Sequence, residues 1–281
     1  MAAPLPNHPQ LRGNYGPINF EASYDDIVIE GTVPPDLSGS LYRIGPNPKF
    51  VEGTYHWFFG AGMVHAFHVD QGKVGYVNRW VRTPKFEKEI ELGRGLSLDI
   101  NINSETGQIE SNRRNGVANT HILAHGDHLV ALEEGSHPFS MDPQTLVSEG
   151  YGQYADGIKG AMTAHPKIDP ETGELHGFGY MTDHFGSNTM TYHVIDRNGR
   201  MLRSDVFEAP YAAMVHDFMI TRDYVIFPLF PLTCDLDRVA QFGFPFAFDR
   251  SAGAYIGVLK RGAPASSIRW LEAPVCYVFH Y

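Results

Sequence analysis

The chain is divided into short apolar runs separated by turn residues, and this pattern constrains its fold more than any other feature. Runs rich in β-branched and aromatic residues flank the turn sequences DQG, GD, RNG, RD and RSAG, and the run ELHGFGYMT follows DPETG. Paired runs of this kind are typical of β-hairpins. No apolar stripe with helical periodicity extends beyond two turns. The sequence therefore predicts an antiparallel, all-β chain.

A series of hairpins without helices between them favours a β-propeller, in which four-stranded sheets of roughly 40–50 residues surround a central channel. A β-sandwich is the alternative, although sandwiches of 281 residues are less usual. No strict sequence repeat is visible, so the choice depends on the number of hairpins. Because no linker or low-complexity segment interrupts the chain, we expect a single domain over residues 1–281.

The composition indicates a globular protein with an apolar core. Apolar residues make up 43% of the chain and charged residues 19%, whereas disordered chains contain fewer apolar residues and more charge. The formal net charge is -10. This charge argues against nucleic acid or an anionic membrane as the main partner, because phosphate binding requires a basic surface.

The number of cysteines and the N-terminal sequence indicate the cellular compartment in which the protein is expected. Cys234 and Cys276 are too few for a disulfide framework, so a reducing compartment is expected. The opening sequence, MAAPLPNHPQLRGNYGP, lacks the basic and apolar regions of a secretory signal. The sequence contains no run of about 18 apolar residues, so no transmembrane helix is expected. We therefore expect a cytoplasmic protein.

Three of the 14 histidines lie beside the start or end of an apolar strand, namely His165 in TAHPKIDP, His216 in MVHDFMIT and His280 in CYVFHY. The number of residues between successive histidines of this set is about the length of one propeller blade. Neighbouring blades could therefore each contribute one of these histidines to a common site. Neutral imidazole is a good ligand for iron, copper, nickel and zinc. A metal site and core histidines with hydrogen-bond partners are the two interpretations that the spacing leaves open.

A second histidine cluster and a pair of acids add further candidates. His121, His125 and His128 have the spacing of a helical metal face, but the GD turn breaks the segment and favours an exposed hairpin tip. Glu133 and Glu134 alternate at the end of a strand, so one of them faces inward. The inward carboxylate could orient a ligating histidine by accepting a hydrogen bond from the N–H of the ring nitrogen that does not bind the metal, or both acids could be solvated loop residues.

Several segments, in order along the chain, resemble the carotenoid oxygenase family, which includes carotenoid cleavage dioxygenases, lignostilbene dioxygenases and a retinoid isomerase. The segments are LSGSLYRIGPNPKF, HWFFGAGMVHAFHV, YVNRWVRT, NTHILAHGDHLVALEEG, TAHPKIDPETGELHGFGY, MVHDFMIT and CYVFHY. The stretch FPLTCDLDRVAQFGFPFAFDRSAGAYIGVLKRG is most similar to the lignostilbene-type branch of bacteria and fungi. The similarity covers nearly the whole chain.

The resemblance implies a seven-bladed β-propeller with a non-haem Fe(2+) ion, of which this chain would contain roughly four blades. It implies that His165, His216 and His280 bind the iron and that Glu134 forms a hydrogen bond to a ligating histidine. The implied reaction is the cleavage, by O2, of a C=C bond of a carotenoid, apocarotenoid or stilbene-like substrate to give two carbonyl products. We therefore expect the nearest nitrogens of the three imidazoles to lie within on the order of 5 Å of one another.

The sequence departs from the family pattern in three respects. Family members are usually longer, and the fourth histidine ligand near their C-terminus has no counterpart here, so we expect a C-terminally truncated member. The motif FDGDGM reads FFGAGM at residues 58–63. The lysine that precedes the counterpart of Glu134 in lignostilbene-type members is Glu133 here, and a carboxylate disfavours a neighbouring phenolate. This last difference argues against a 4-hydroxystilbene substrate.

Other functions remain open at this point. An incomplete ligand set could leave a non-catalytic propeller fragment or pseudo-enzyme that serves as a binding scaffold. A zinc or calcium propeller hydrolase of the lactonase kind would require carboxylate and asparagine ligands, for which the sequence shows no matching set. Family members extract apolar substrates from membranes through a surface patch, so peripheral membrane contact is a further expectation, although no amphipathic segment identifies such a patch.

Overall fold

Antiparallel strands account for most of the regular structure. A computed structural model describes residues 5–53, 55–96, 100–102, 109–238 and 245–281. The strands in these ranges are β1 (Ala22–Tyr24), β2 (Gly39–Pro46), β3 (Gly62–Asp70), β4 (Lys73–Trp80), β5 (Ile100–Ile102), β6 (Ile109–Ser111), β7 (His121–His125), β8 (His128–Leu132), β9 (Phe139–Met141), β10 (Ser148–Gly150), β11 (Lys167–Ile168), β12 (Leu175–Tyr180), β13 (Thr189–Ile195), β14 (Met201–Glu208), β15 (Met219–Ile220), β16 (Tyr224–Leu229), β17 (Leu232–Cys234), β18 (Phe246–Phe248), β19 (Ala254–Lys260) and β20 (Arg269–Ala273). The predicted all-β class is confirmed.

The chain divides into two compact units. The first contains Met1–Leu98, Arg114–Glu133 and Pro138–Gly152, and the second contains Asp99–Arg113, Glu134–His137 and Gln153–Tyr281. The single domain expected over residues 1–281 stays a prediction, and each unit is described separately below.

The first unit is built on two four-stranded antiparallel sheets, with the strand orders β1-β4-β3-β2 and β10-β9-β8-β7. The predicted hairpins around DQG and GD are present as β3–β4 and β7–β8. Apolar residues are buried on both faces of the sheet that contains β3 and β4: Met63 and Trp80 pack with Ala61 and Phe86 in a small cluster, and residues of the other face form the main core together with the second sheet. The core contains Val64, Ala66, Val77, Leu129 and Met141.

The first unit also contains a helix, α1 (Pro84–Leu92), that the sequence analysis missed. The hydroxyl of Thr83 accepts a hydrogen bond from the N–H group of Phe86 at the N-terminus, and Pro84 occupies the first turn. Gly93 ends the helix with a φ of 66°. These residues are common start and stop signals, but nine residues are too few for a long apolar stripe. In the part of the chain that the structure describes, no helix has the length and hydropathy needed to cross a bilayer.

Short 3-10 helices connect several strands. They comprise Pro9–Leu11, Gly13–Tyr15, Trp57–Phe59, Gln153–Ala155, Arg250–Ala252 and Ala265–Ser267.

The second unit contains two four-stranded sheets, with the orders β11-β12-β13-β14 and β15-β16-β19-β20, and the two-stranded sheets β5-β6 and β17-β18. Aromatic side chains from both larger sheets form its core. The rings of Phe218 and Phe227 stack at 5.8 Å between centroids, and Phe178 packs edge-on against Phe218 at 5.1 Å. Such pairs contribute to stability beyond the area they bury.

One predicted hairpin was wrong. The sequence suggested that RSAG joins FPFAFD to AYIGVLK, but β18 pairs with β17 and β19 pairs with β16 and β20. The turn itself explains the difference, since Asp249 caps a 3-10 helix at Arg250–Ala252 rather than closing a tight hairpin. The partner strand β16 is separated from β19 by the β17–β18 hairpin, and turn residues next to β19 in the sequence cannot indicate a pairing over that distance.

Two buried histidines of the second unit favour the neutral form. Burial, together with the positive charge of Arg261, lowers the pKa of His176 from 6.5 to about 4. Burial also lowers the pKa of His193 from 6.5 to about 4. The ring nitrogens of His193 lie 3.0 Å from the carbonyl oxygen of Ala161 and 3.0 Å from Oγ of Ser204. Protonation of either imidazole therefore places an unfavourable charge inside the unit.

We expect stability to fall as the pH drops from about 6.5 to about 4. The histidines of the unfolded chain take up protons near pH 6.5, whereas those of the folded chain take them up only near pH 4. The stabilisation is therefore complete above pH 6.5 and is lost progressively as the pH falls from 6.5 to about 4. Each histidine should contribute about 3 kcal/mol of this loss. Denaturant unfolding at several pH values measures the effect, and His193→Gln should remove one share of it. An unchanged pH dependence in that variant would contradict the assignment.

Candidate metal centre

Close packing against β12 places the segment that carries His165. Gly179 in β12 leaves no room for a side chain, because a Cβ atom there would overlap the carbonyl oxygen of Ala161. The N–H group of Thr163 donates to the carbonyl oxygen of Phe178 at 2.6 Å. A larger residue at position 179 would push residues 161–165 away from the sheet.

Thr163 also links this segment to the one that carries His216. Its hydroxyl accepts a hydrogen bond from the N–H group of His165 at 3.0 Å and donates to the carbonyl oxygen of His216 at 3.4 Å. His216 lies three residues before β15, and His280 lies beyond the last strand, β20. His165 and His216 therefore lie in non-regular segments just before strands, as expected. The expectation is wrong for His280, because the apolar run CYVFHY forms no strand and His280 lies in a non-regular segment well beyond β20. Side chains from such segments can converge without disturbing a ladder.

The structure brings the three imidazoles together. Nε2 of His216 lies 2.9 Å from Nε2 of His165 and 3.2 Å from Nε2 of His280. One ligand atom from each histidine lies within 4.8 Å of the others, which is inside the limit of on the order of 5 Å expected above. Within the described ranges, no other three or more His, Cys, Asp or Glu side chains form such a group.

Glu134 fixes the tautomer of His216. Its Oε2 atom accepts a hydrogen bond from Nδ1 of His216 at 2.7 Å, and its Oε1 atom accepts one from the hydroxyl of Tyr180 at 2.8 Å. A carboxylate can only accept hydrogen bonds, so Nδ1 carries the proton and Nε2 keeps its lone pair. That lone pair is directed at the other two imidazoles. Of the two adjacent acids, Glu134 is therefore the one that reaches the cluster.

The donor set fits a divalent transition-metal ion. Three neutral imidazoles cannot all satisfy one another, because each has only one N–H group and the Nε2 atoms converge. An ion bound at about 2.1 Å from each nitrogen would separate neighbouring ligand nitrogens by about 3 Å, and the observed 2.9 and 3.2 Å agree with this value. Imidazole ligands suit iron, copper, nickel and zinc.

Asp217 is a buried acid beside the cluster that the sequence analysis did not single out. Its carboxylate lies 2.8 Å from Nζ of Lys167 and accepts the N–H groups of Phe218 and Tyr281 at 2.8 and 2.9 Å. Burial alone would raise its pKa, but these three donors outweigh that effect and hold the pKa below its ordinary value. The only signal in the sequence was its position next to His216.

Aromatic residues border the cluster on one side. The ring of Phe279 packs edge-on against that of His216 at 5.5 Å between centroids, and Tyr277 packs against Phe279 at 4.9 Å. Burial raises the pKa of Tyr277 above its ordinary value. Phe279 itself is 51% exposed, so an apolar surface is available next to the imidazoles.

The rival histidine cluster has a different arrangement. His125 and His128 face each other across the β7–β8 hairpin, and Nδ1 of His128 lies 2.6 Å from Oε2 of Glu149. His125 is only 6% exposed, so the expectation of an exposed hairpin tip is wrong for this residue. Together with His121, these residues form no group with metal-binding geometry among the described residues.

Comparison with known proteins decides the family. The family described as "RPE65: Retinal pigment epithelial membrane protein" matches residues 15–281. The chain belongs to this family, the carotenoid oxygenases. This carotenoid oxygenase chain is 38% identical to isoeugenol monooxygenase of Pseudomonas putida over 277 residues, which cover 98% of the chain and 58% of the relative. It is 37% identical to carotenoid cleavage oxygenase 1 of Neurospora crassa over 287 residues, which cover 99% and 54% respectively.

A solved structure supports the same assignment. The crystal structure of Pseudomonas brassicacearum lignostilbene dioxygenase superposes with a TM-score of 0.86 at 35% identity, and covers 97% of this chain and 57% of that one. Carotenoid oxygenases are β-propellers, and the four four-stranded antiparallel sheets are of the kind that forms propeller blades. The predicted fold class is confirmed, and this carotenoid oxygenase chain spans somewhat more than half the length of the relatives it matches.

Proposed function

We propose that this chain supplies three histidine ligands of a catalytic Fe(2+) ion in an alkene-cleaving dioxygenase. His165, His216 and His280 bind the ion, and Glu134 orients His216. The protein cleaves a C=C bond of a carotenoid, apocarotenoid or stilbene-like substrate with O2 and releases two carbonyl products. The convergence of three Nε2 atoms, one of them fixed by a carboxylate at Nδ1, carries this proposal.

The names of the relatives support the substrate class. They refer to isoeugenol, carotenoids and lignostilbene, and each of these compounds contains a conjugated C=C bond. Glu133 stands where the resemblance implies a lysine, and a carboxylate disfavours a neighbouring phenolate, so among these classes we favour substrates without a phenolate. The location in the cytoplasm, the absence of a nucleic-acid partner and a peripheral membrane contact stay predictions.

The residues of this chain have separate tasks in the proposed reaction. A bound Fe(2+) ion supplies the position at which O2 is bound and activated. Glu134 holds the proton of His216 on Nδ1, so that Nε2 remains a donor to the metal. Neutral imidazoles leave the charge of the ion uncompensated, which favours electron-rich ligands. Phe279 offers the apolar alkene a surface beside His216.

Anaerobic loading with Fe(2+), followed by exposure to O2 and a substrate, tests the proposal. The substrates are isoeugenol, a non-phenolic stilbene and an apocarotenoid, and the readout is the pair of carbonyl products by mass spectrometry. We expect one equivalent of O2 to be consumed for each C=C bond cleaved. We also expect less than one iron per chain after gel filtration, because three imidazoles hold the ion less tightly than the four that the family uses. Iron binding without cleavage would favour the binding scaffold, and an absence of iron binding would refute the metal centre.

A further inference from the structure

The carboxylate of Asp217 lies where the three histidine segments meet. Asp217 follows His216 directly, Lys167 is two residues beyond His165, and Tyr281 follows His280. Oδ1 of Asp217 lies 2.8 Å from Nζ of Lys167, and its Oδ2 atom accepts the N–H group of Tyr281 at 2.9 Å. One side chain therefore connects all three segments.

The segment that carries His280 depends strongly on this contact. Residues 274–281 lie beyond β20 and contain no strand or helix. Among the residues that the structure describes, the N–H of Tyr281 is the only backbone group of residues 274–281 that forms a hydrogen bond. A segment with so few backbone bonds is held weakly, so the loss of one charge-assisted bond should free it.

The environment of Asp217 makes this contact strong. The residue is 3% exposed, and the side chain of Lys167 is 27% exposed. The ion pair is therefore shielded from much of the solvent, and hydrogen bonds to an ionised carboxylate are shorter and stronger than neutral ones. The N–H group of Phe218 adds a third bond at 2.8 Å, which fixes the orientation of the carboxylate.

We propose that Asp217 is a positioning residue, which anchors the segment of His280 to the segments of His165 and His216 so that the three Nε2 atoms can share one metal ion. The anchoring of residues 274–281 stands on the contacts alone, whereas its consequence for metal affinity rests on the proposed metal centre. Asp217 itself lies behind the ligands and contacts their neighbours in the chain rather than the reacting atoms.

Asp217→Asn tests the proposal, because an amide keeps the shape of the side chain but cannot accept from both Lys167 and the N–H group of Tyr281 with the strength of a carboxylate. Asp169→Asn is the matched control. Asp169 is a buried acid of the same unit with 6% exposure, and it pairs with Arg261 at 2.5 Å instead of with a histidine segment. Both variants remove one buried negative charge and one ion pair.

The first readout is hydrogen–deuterium exchange of the metal-free protein. We expect the amide of Tyr281, measured within the peptide that contains residues 274–281, to exchange at least about tenfold faster in Asp217→Asn and to remain unchanged in Asp169→Asn. Unchanged exchange of this peptide in Asp217→Asn would overturn the proposal, whatever the outcome for metal binding. A global increase in both variants would show a purely structural role and would also overturn it.

The second readout is the affinity for Co(2+), followed by its visible absorption. We expect the affinity to fall about 10–100-fold in Asp217→Asn and by less than about twofold in Asp169→Asn. In a His280→Ala background the effect of Asp217→Asn should largely disappear, because both changes act on the same ligand. Equal losses in both backgrounds would overturn the proposal. If the unaltered chain binds no Co(2+), the metal centre is refuted while the exchange experiment still decides the anchoring.

Discussion

Replacement of His216 by alanine is expected to abolish metal binding. His216 is central to the cluster, because its Nε2 atom faces both partner nitrogens, at 2.9 Å from His165 and 3.2 Å from His280. In the alanine variant only two imidazoles remain to bind the metal, and Glu134 loses the hydrogen bond that it accepts from His216. We expect the affinity for Fe(2+) or Co(2+) to fall by at least about 100-fold, which corresponds to about 2.7 kcal/mol.

Isothermal titration under anaerobic conditions measures this loss. His128→Ala serves as the matched control, since His128 is a partly exposed histidine that contacts Glu149 and lies outside the cluster. The control should retain the affinity of the unaltered chain within about twofold. Retained metal binding in His216→Ala, with the fold intact by circular dichroism, would remove His216 from the site.

Replacement of Glu134 by glutamine is the second change with a large expected effect. The amide can still accept the N–H group of His216, but it carries no charge and its NH2 group faces either His216 or Tyr180. The Nε2 atom of His216 becomes a weaker donor, and its ring loses its preferred orientation. We expect the metal affinity to fall about 10–100-fold, as is typical for partners of ligating histidines.

Tyr180→Phe separates the two hydrogen bonds of Glu134. It removes the 2.8 Å bond to Oε1 and leaves the carboxylate and its bond to His216 in place. We expect a smaller loss of metal affinity, below about fivefold, and an unchanged absorption spectrum of bound Co(2+). A loss in Glu134→Gln no greater than that in Tyr180→Phe would show that the charge of Glu134 does not act through His216.

The strand hairpins could be predicted from the sequence because their determinants are local. The turns DQG, GD and RNG each join strands that are adjacent in the chain, and the structure forms all three hairpins. The RSAG turn failed because β19 pairs with β16, which lies more than twenty residues earlier in the chain. The helix α1 was missed because caps mark its ends while its length is too short for a periodic pattern.

Local sequence context alone identified His165, His216 and His280 as unusual, and resemblance to a family suggested a shared role. The alternation of Glu133 and Glu134 showed that one of them faces inward, but only the resemblance and then the contact with His216 selected Glu134. Tyr180 and Asp217 gave no comparable signal, since a tyrosine in a strand and an aspartate beside a histidine are common in any β protein.

By itself, the sequence determined the antiparallel class and the family, because turn chemistry, side-chain alternation and motif order depend only on residues that are close together or in a fixed order in the chain. Only the tertiary structure decided that three distant imidazoles meet within 4.8 Å and that one carboxylate, Asp217, connects their segments. Distances between residues so far apart depend on how the sheets pack on one another, and packing is a property of many weak contacts rather than of any single stretch of sequence.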